Sequence, residues 1–165
     1  MQTFRRCRYE KSDELPERFG GDVRTPKSFV KEFLTEFSEE GDMVIDPFAG
    51  FGTTLKVAEV LGRIPYGIEY EADRVEFIED RIDHGGNLVH GSALELASYD
   101  LPTFDLCLTS PPSMAEEDNQ NPFRNSAGES QYDEYLENIG NAFSQLETFM
   151  ATDSHVLVDV SKLKN

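Results

Sequence analysis

Cysteine is scarce in this chain, with Cys7 and Cys107 the only two among 165 residues. Neither has a partner at CxxC spacing, and Cys107 sits inside an apolar run, so neither a disulfide framework nor a cysteine metal centre is expected. Long apolar runs are missing too: nothing approaches the roughly 18 to 20 residues that span a bilayer. The basic start, Met1-Gln2-Thr3-Phe4-Arg5-Arg6, lacks the apolar stretch and small-residue cleavage site of a signal peptide, which leads to the expectation of a cytoplasmic protein with no membrane partner. The three histidines, His84, His90 and His155, have no helper at catalytic spacing and read as surface or strand-end residues. Basic residues are few, 15 Lys and Arg against 32 Asp and Glu, for a net charge of −17. A protein that grips phosphates draws its affinity largely from Lys and Arg. Two explanations therefore stand side by side: the substrate is not a nucleic acid, or the chain works in the concentrated salt of a halophilic organism, where self-repulsion is screened. The acidic residues are spread along the whole chain rather than gathered in a tail, which suits the second.

What is present is an alternation of strands and helices without internal repeats, long enough for one domain over residues 1–165. Such alternation is the mark of an α/β fold with a parallel sheet. Residues 28–37 carry Phe29, Val30, Phe33, Leu34 and Phe37 at helical spacing, and a short apolar strand follows at 43–45. Further helices are expected at 53–61 and 72–82, and strands at 66–69, 87–90 and 104–108. A polar stretch at 114–131 has no periodicity, and a loop that long in a compact domain is usually functional or disordered. An amphipathic helix at 132–150 and a fifth strand at 155–160 complete the reading.

Asp46-Pro47-Phe48-Ala49-Gly50-Phe51-Gly52-Thr53-Thr54 is the strongest signal. It lies between a strand and a helix, where two glycines allow a tight turn and close approach of a ligand to the main chain. Thr53 or Thr54 is placed to cap the new helix, whose N-terminal N–H groups favour an anion such as a carboxylate. The spacing is not that of a dinucleotide GxGxxG, and no Lys follows as in a P-loop. Glu69, about twenty residues on, ends the second strand, where a carboxylate can accept hydrogen bonds from the two hydroxyls of a ribose. Thr109-Ser110-Pro111-Pro112-Ser113 follows the fourth strand. Two prolines there fix the backbone and remove two N–H donors, leaving carbonyls to face a site.

The glycine segment resembles motif I of the amino-methyltransferases, whose usual form runs Asp-Pro-Phe-x-Gly-x-Gly-Thr-Thr, and Ser110-Pro111-Pro112 resembles motif IV of N4-cytosine and N6-adenine DNA methyltransferases, in the Ser variant associated with N4-cytosine. The resemblance implies S-adenosylmethionine as cofactor, held by Asp46, Phe48, Ala49, Gly50, Gly52, Thr53, Thr54 and Glu69. It implies Ser110, Pro111 and Pro112 as the catalytic turn, accepting hydrogen bonds from an aromatic amine that is otherwise a poor nucleophile. Positioning then carries most of the catalysis and no metal is required. Gly91-Ser92-Ala93 stands where the family usually has Gly-Asp-Ala, so Ser92 and Ala93 are expected at the adenine, with Ser a departure from Asp. Arg24-Thr25-Pro26-Lys27-Ser28 resembles motif X, which puts Thr25 and Lys27 at the methionine end, with Thr25 or Ser28 capping the helix. Ser113 departs again, since the family places Tyr or Phe there to stack on a flipped base, a surface worth roughly 1 to 3 kcal/mol. Phe123 and Tyr132 are the rings within reach to replace it.

The implied fold is a Rossmann-like methyltransferase sheet with helices on both faces. The family's seven strands run 3-2-1-4-5-7-6, and five are legible here, so the expectation is a sheet of order 3-2-1-4-5, cut after its fifth strand, with that strand exposed or paired with another copy of the chain. The implied partner is DNA, methylated on an exocyclic amine, with N4-cytosine ahead of N6-adenine. RNA as substrate (a tRNA guanine-N2 enzyme) and a non-catalytic cofactor-binding subunit of a larger assembly remain open alternatives.

Overall fold

The computed structural model describes residues 15–20, 24–114, 116, 118, 121–123 and 131–160. Cys7 and most of the polar stretch after Met114 lie outside them. Pro26, locked near φ −62°, opens α1 (Lys27–Phe37), and Val30 and Leu34 on one stripe of this helix are wholly buried. Ser38 ends it by donating its hydroxyl to the Leu34 carbonyl at 2.6 Å. The chain then enters β1 (Met43–Asp46), α2 (Thr53–Val60), β2 (Ile64–Glu69), α3 (Ala72–Glu79), β3 (Leu88–His90), β4 (Phe104–Thr109), α4 (Gln131–Glu147) and β5 (Met150–Val158). Short 3-10 turns add Glu17–Phe19, Gly85–Asn87 and Ala93–Ser98.

The five strands form one parallel sheet in the order β3-β2-β1-β4-β5, as expected, with helices on both faces. Alternate side chains of a strand point to opposite faces, so Val44 and Ile45 serve different cores. Val44 joins Leu106 and Leu108 under Val30 and Leu34 of α1 and Val57 and Ala58 of α2. Ile45 joins Ile68 and Cys107 under Leu146 of α4 and Leu96 of the 3-10 turn. Val75 and Ile78 of α3 pack with Leu55 and Leu88 at the β3 edge. No helix among the described residues is long and apolar enough to cross a membrane.

The fifth strand differs from expectation in where it begins. It starts at Met150 rather than 155, and Phe104 pairs with Met150 while Leu106 pairs with His155. The extra residues bulge out around Asp153, whose φ of 65° is left-handed. The bulge interrupts the strand's periodicity and so hid its first half. Val156 and Val158 of β5 are 45 % and 41 % exposed. Sheet order leaves β5 at an edge, and it has no outer neighbour among the described residues.

Candidate active site

All five strands run the same way, so their C-terminal ends lie together, and ligands of open α/β sheets bind in the crevice there. A cavity of about 1100 Å³ occupies that crevice. The loop after β1, the end of β2, the turn after β3, the Ser110–Pro112 turn after β4 and the end of β5 all contribute to its wall.

Gly50 (φ 58°) and Gly52 (φ 71°) both adopt the left-handed backbone that an L side chain resists. Ala49 donates its N–H to the Ile68 carbonyl, which ties the loop to β2. Glu69 adds a second tie: its carboxylate accepts the Gly50 N–H at 2.7 Å and the Glu71 N–H at 2.8 Å. A carboxylate offers about four lone-pair sites, so acceptor capacity remains for a ligand. Burial raises the Glu69 carboxyl above its usual value, against the opposing hydrogen bonds from Glu71 and Gly50 and the charge of Arg74. Asp46, only 4 % exposed, accepts the Thr109 hydroxyl at 2.6 Å and the Phe48 N–H at 3.1 Å. Desolvation nevertheless pushes it up to about 6, opposed by hydrogen bonds from Thr109, Thr54 and Phe48, with the Glu69 charge adding to the rise.

Thr54 does not cap α2, nor does Thr53. The N-cap is Gly52, which has no side chain to cap with, and the Thr54 hydroxyl is turned back onto Asp46. The start of α2 thus has no side-chain cap, and Thr53 and Thr54 there both line the cavity. Thr25 and Ser28 do not cap α1 either: the N-cap is Pro26, and the Thr25 hydroxyl instead donates to Asp159 Oδ2 at 3.3 Å. Ser92 accepts the Leu94 N–H at 3.1 Å and so caps the 3-10 turn Ala93–Ser98, using one of its lone pairs there.

Ser110 donates its hydroxyl to the Asp159 carbonyl at 3.2 Å. Its single proton is spent on that bond, so the oxygen is left as an acceptor. Pro112 offers its carbonyl to the Tyr135 hydroxyl at 3.0 Å, which binds the turn to α4. One wall therefore combines carboxylates and the start of a helix with glycine backbone, and the wall beyond it presents the Ser110 oxygen and two prolines that carry no N–H. That donor set fits a ligand with an ammonium, a carboxylate and ribose hydroxyls, as S-adenosylmethionine has.

Residues 2–80 match the family model described as DNA methylase. That match covers just under half of the chain. Among its relatives are the type II methyltransferase M.HinfI of Haemophilus influenzae, 40% identical over 60 residues (36% of this chain, 17% of that protein), and the DNA adenine methyltransferase YhdJ of Escherichia coli, 39% identical over 75 residues (46% and 24%). The matched segments thus cover less than a quarter of either relative. The fold is similar to the crystal structure of an rRNA methylase from Streptococcus thermophilus, at a TM-score of 0.57 and 12% identity over 84% of this chain and 71% of that one.

Most residues singled out from sequence meet at this cavity: Thr25, Asp46, Phe48, Ala49, Gly50, Thr53, Thr54, Glu69, Ser92, Ala93, Ser110, Pro111 and Pro112 all line it. Lys27 and Gly52 do not. Lys27 is the first residue of α1, and its neighbour Arg24 takes the place at the wall. Gly52 sits where an added Cβ would press on Ile78 at 2.9 Å, so its part is close packing of the loop on α3. His84 has a partner that spacing did not reveal, its Nδ1 lying 2.8 Å from Glu59.

Four residues that hold the site together escaped the sequence reading. Thr109 and Tyr135 act through hydroxyls on groups far along the chain, Asp46 and Pro112. Asp159 joins Thr25 to Ser110, 134 and 49 positions away. Tyr99, behind the wall, clasps Ser92 by accepting its N–H at 2.8 Å and donating to its carbonyl at 3.1 Å, filling the space a side chain at Gly91 would need. No local pattern marks such long-range partners, although buried polar side chains must find one.

Proposed function

We propose that the chain binds S-adenosylmethionine along the Gly50–Gly52 loop and methylates an exocyclic amino nitrogen of a DNA base held at Ser110-Pro111-Pro112, N4-cytosine ahead of N6-adenine. The observation that carries this reading is the single continuous cavity that joins the glycine loop and Glu69 to the Ser-Pro-Pro turn. When bound, the cofactor supplies the methyl group. Asp46 faces its methionine part, the N-terminus of α2 receives its carboxylate, and Glu69 accepts from the ribose hydroxyls. At the other end, the lone pair of an aromatic amine is delocalised into its ring. Hydrogen bonds from both amine N–H groups, to Ser110 Oγ and the Pro111 carbonyl, draw the nitrogen toward tetrahedral geometry. The hydrogen bond from Ser110 to Asp159 fixes the serine oxygen as acceptor, and the prolines place no competing donor beside it. Catalysis is then orientation of two bound groups.

DNA is proposed as substrate because the matching family model is described as DNA methylase and YhdJ is by name a DNA adenine methyltransferase. The test is Ser110→Ala, assayed with labelled cofactor on separate DNA and tRNA pools. Methylation of DNA should fall by about ten- to a hundredfold, the loss of one to two hydrogen bonds, while S-adenosylhomocysteine affinity measured by calorimetry stays near wild type. Equal loss of both would assign the turn a structural role. Wild-type labelling of tRNA alone would move the substrate to RNA, and labelling of neither pool would leave a cofactor-binding module.

A further inference from the structure

Charge is divided unevenly along this chain. Residues 1–31 hold 8 Lys and Arg against 5 Asp and Glu, a net of +3, whereas residues 32–165 hold 7 against 27, a net of −20. A basic stretch on an otherwise acidic protein points to a polyanionic partner. The fold brings that stretch to the rim of the cavity. Leu15 and Phe19 pack against Phe51 and Phe77. Phe51 lines the cavity, and Arg24, Thr25 and Pro26 line it as well.

The rim also draws cations from α3 and the turn that follows it. Phe19, Phe51 and Phe77 meet edge to face, with ring centroids 5.0 to 5.8 Å apart. Each ring carries a guanidinium: Arg18 on Phe19 at 4.8 Å, Arg74 on Phe51 at 4.8 Å and Arg81 on Phe77 at 3.7 Å. Those separations bound every pair of the three charges at about 15 Å, a length over which duplex DNA presents about nine phosphate charges. The three rings are buried, while Arg18 and Arg81 are exposed. An arginine seated on a ring keeps N–H donors in a planar fork that matches a phosphate, and Arg81 spends one of its five on the Phe77 carbonyl at 3.3 Å. Exposed acids adjoin the patch: Glu17 beside Arg18, and Asp73, Glu76 and Glu79 on α3. At about 3.6 residues per turn, those three stand about 100° or more around the helix from Arg74. They turn a polyanion away on that side and so restrict how it can lie.

We propose that this arginine-on-phenylalanine rim is where the sugar-phosphate backbone of duplex DNA docks, beside the mouth of the cavity; the assignment rests on the methyl-transfer reading above, which supplies DNA as the substrate. It reconciles a net charge of −17 with a phosphate-bearing partner. Most of the surface repels the duplex and one rim accepts it, so the protein approaches in one orientation.

Binding of a short fluorescein-labelled duplex, followed by anisotropy at several potassium chloride concentrations, tests this. Log affinity of the wild type should fall linearly with log salt. Arg18→Gln and Arg81→Gln should each weaken binding and make that slope shallower by about 0.9, the mark of one lost phosphate contact, and the double variant by about twice as much. Arg81→Lys keeps the charge and should keep the slope. Lys56→Gln removes a cation that pairs with Glu59 on α2, and should leave the slope as it was. Neither Arg18 nor Arg81 lines the cavity, so S-adenosylhomocysteine affinity should stay within about twofold of wild type in both Gln variants, which also shows that they are folded. A wild-type chain that neither binds S-adenosylhomocysteine nor labels any nucleic acid overturns the methyl-transfer reading and this assignment with it. Normal S-adenosylhomocysteine binding with duplex affinity and slope unchanged in both Gln variants, or with the slope lost equally in Arg81→Lys or Lys56→Gln, overturns the docking surface alone. Binding of tRNA without binding of the duplex overturns duplex DNA as its occupant.

Discussion

Asp46 shows what a single residue at the centre of this site costs the fold. Its carboxyl is buried, and desolvation lifts it to about 6 in spite of three hydrogen bonds. A raised carboxyl favours folding in its protonated form. The stability it contributes is therefore complete below its unfolded value near 3.8 and is lost as pH rises through about 6. Asp46→Asn keeps an oxygen for Thr109 and the Phe48 N–H and removes the charge. It should raise unfolding free energy at pH 7 by about 1 to 2 kcal/mol, part of what the rise of the Asp46 carboxyl represents. In urea melts that gain should disappear near pH 3.5; an equal gain at both pH values would refute it. The same variant should bind S-adenosylhomocysteine more weakly, a trade of function for stability. In wild type a ligand ammonium lets Asp46 ionise, so binding near pH 6 should release protons, seen as an enthalpy that varies with buffer.

Among the elements, α2 is fastened at both ends. At its start Asp46 holds Thr54. Near its end Glu59 accepts N–H bonds from Asp83 at 2.7 Å and His84 at 3.0 Å, contacts the His84 ring at 2.8 Å and takes Lys56 Nζ at 3.1 Å. Burial alone would raise this carboxyl, but the bonds from His84, Lys56 and Asp83 hold it down at about 2. The sign is opposite to that of Asp46: the contribution is present above the ordinary value of 4.5 and is lost as pH falls toward about 2. Glu59 thus joins α2 to the turn between α3 and β3. Glu59→Ala should lower stability by about 1 to 3 kcal/mol at pH 7, the worth of hydrogen bonds to a charged group. Calorimetric melts of wild type and variant should converge as pH approaches 2. A constant gap would mean that packing, not charge, accounts for the loss.

Across the whole molecule, 32 acidic residues against 15 basic ones give a net charge of −17, and self-repulsion opposes compaction. Salt shortens the Debye length from about 10 Å at 0.1 M to about 3 Å at 1 M, so the melting temperature should climb steeply between low and molar potassium chloride. A flat response would refute a salt-adapted surface. Much of this molecule was legible from its residues, for local reasons. Strand and helix periods, Pro26, the glycines of the loop and the Pro-Pro turn all act within a few positions, and the family resemblance carried sheet order and most of the cavity wall. Sequence alone determined that Asp46, Glu69 and Ser110 would stand at strand ends, because each follows an apolar strand directly. Tertiary structure decided how their polar atoms are used. Thr54 turns to Asp46 instead of capping α2, Ser110 spends its proton on Asp159, and Phe123 comes to the wall through Asn121 and Gln131. A hydroxyl or amide takes whichever partner the fold brings within about 3 Å, and that partner stands 8, 49 or 10 positions away in these three cases, beyond any local pattern.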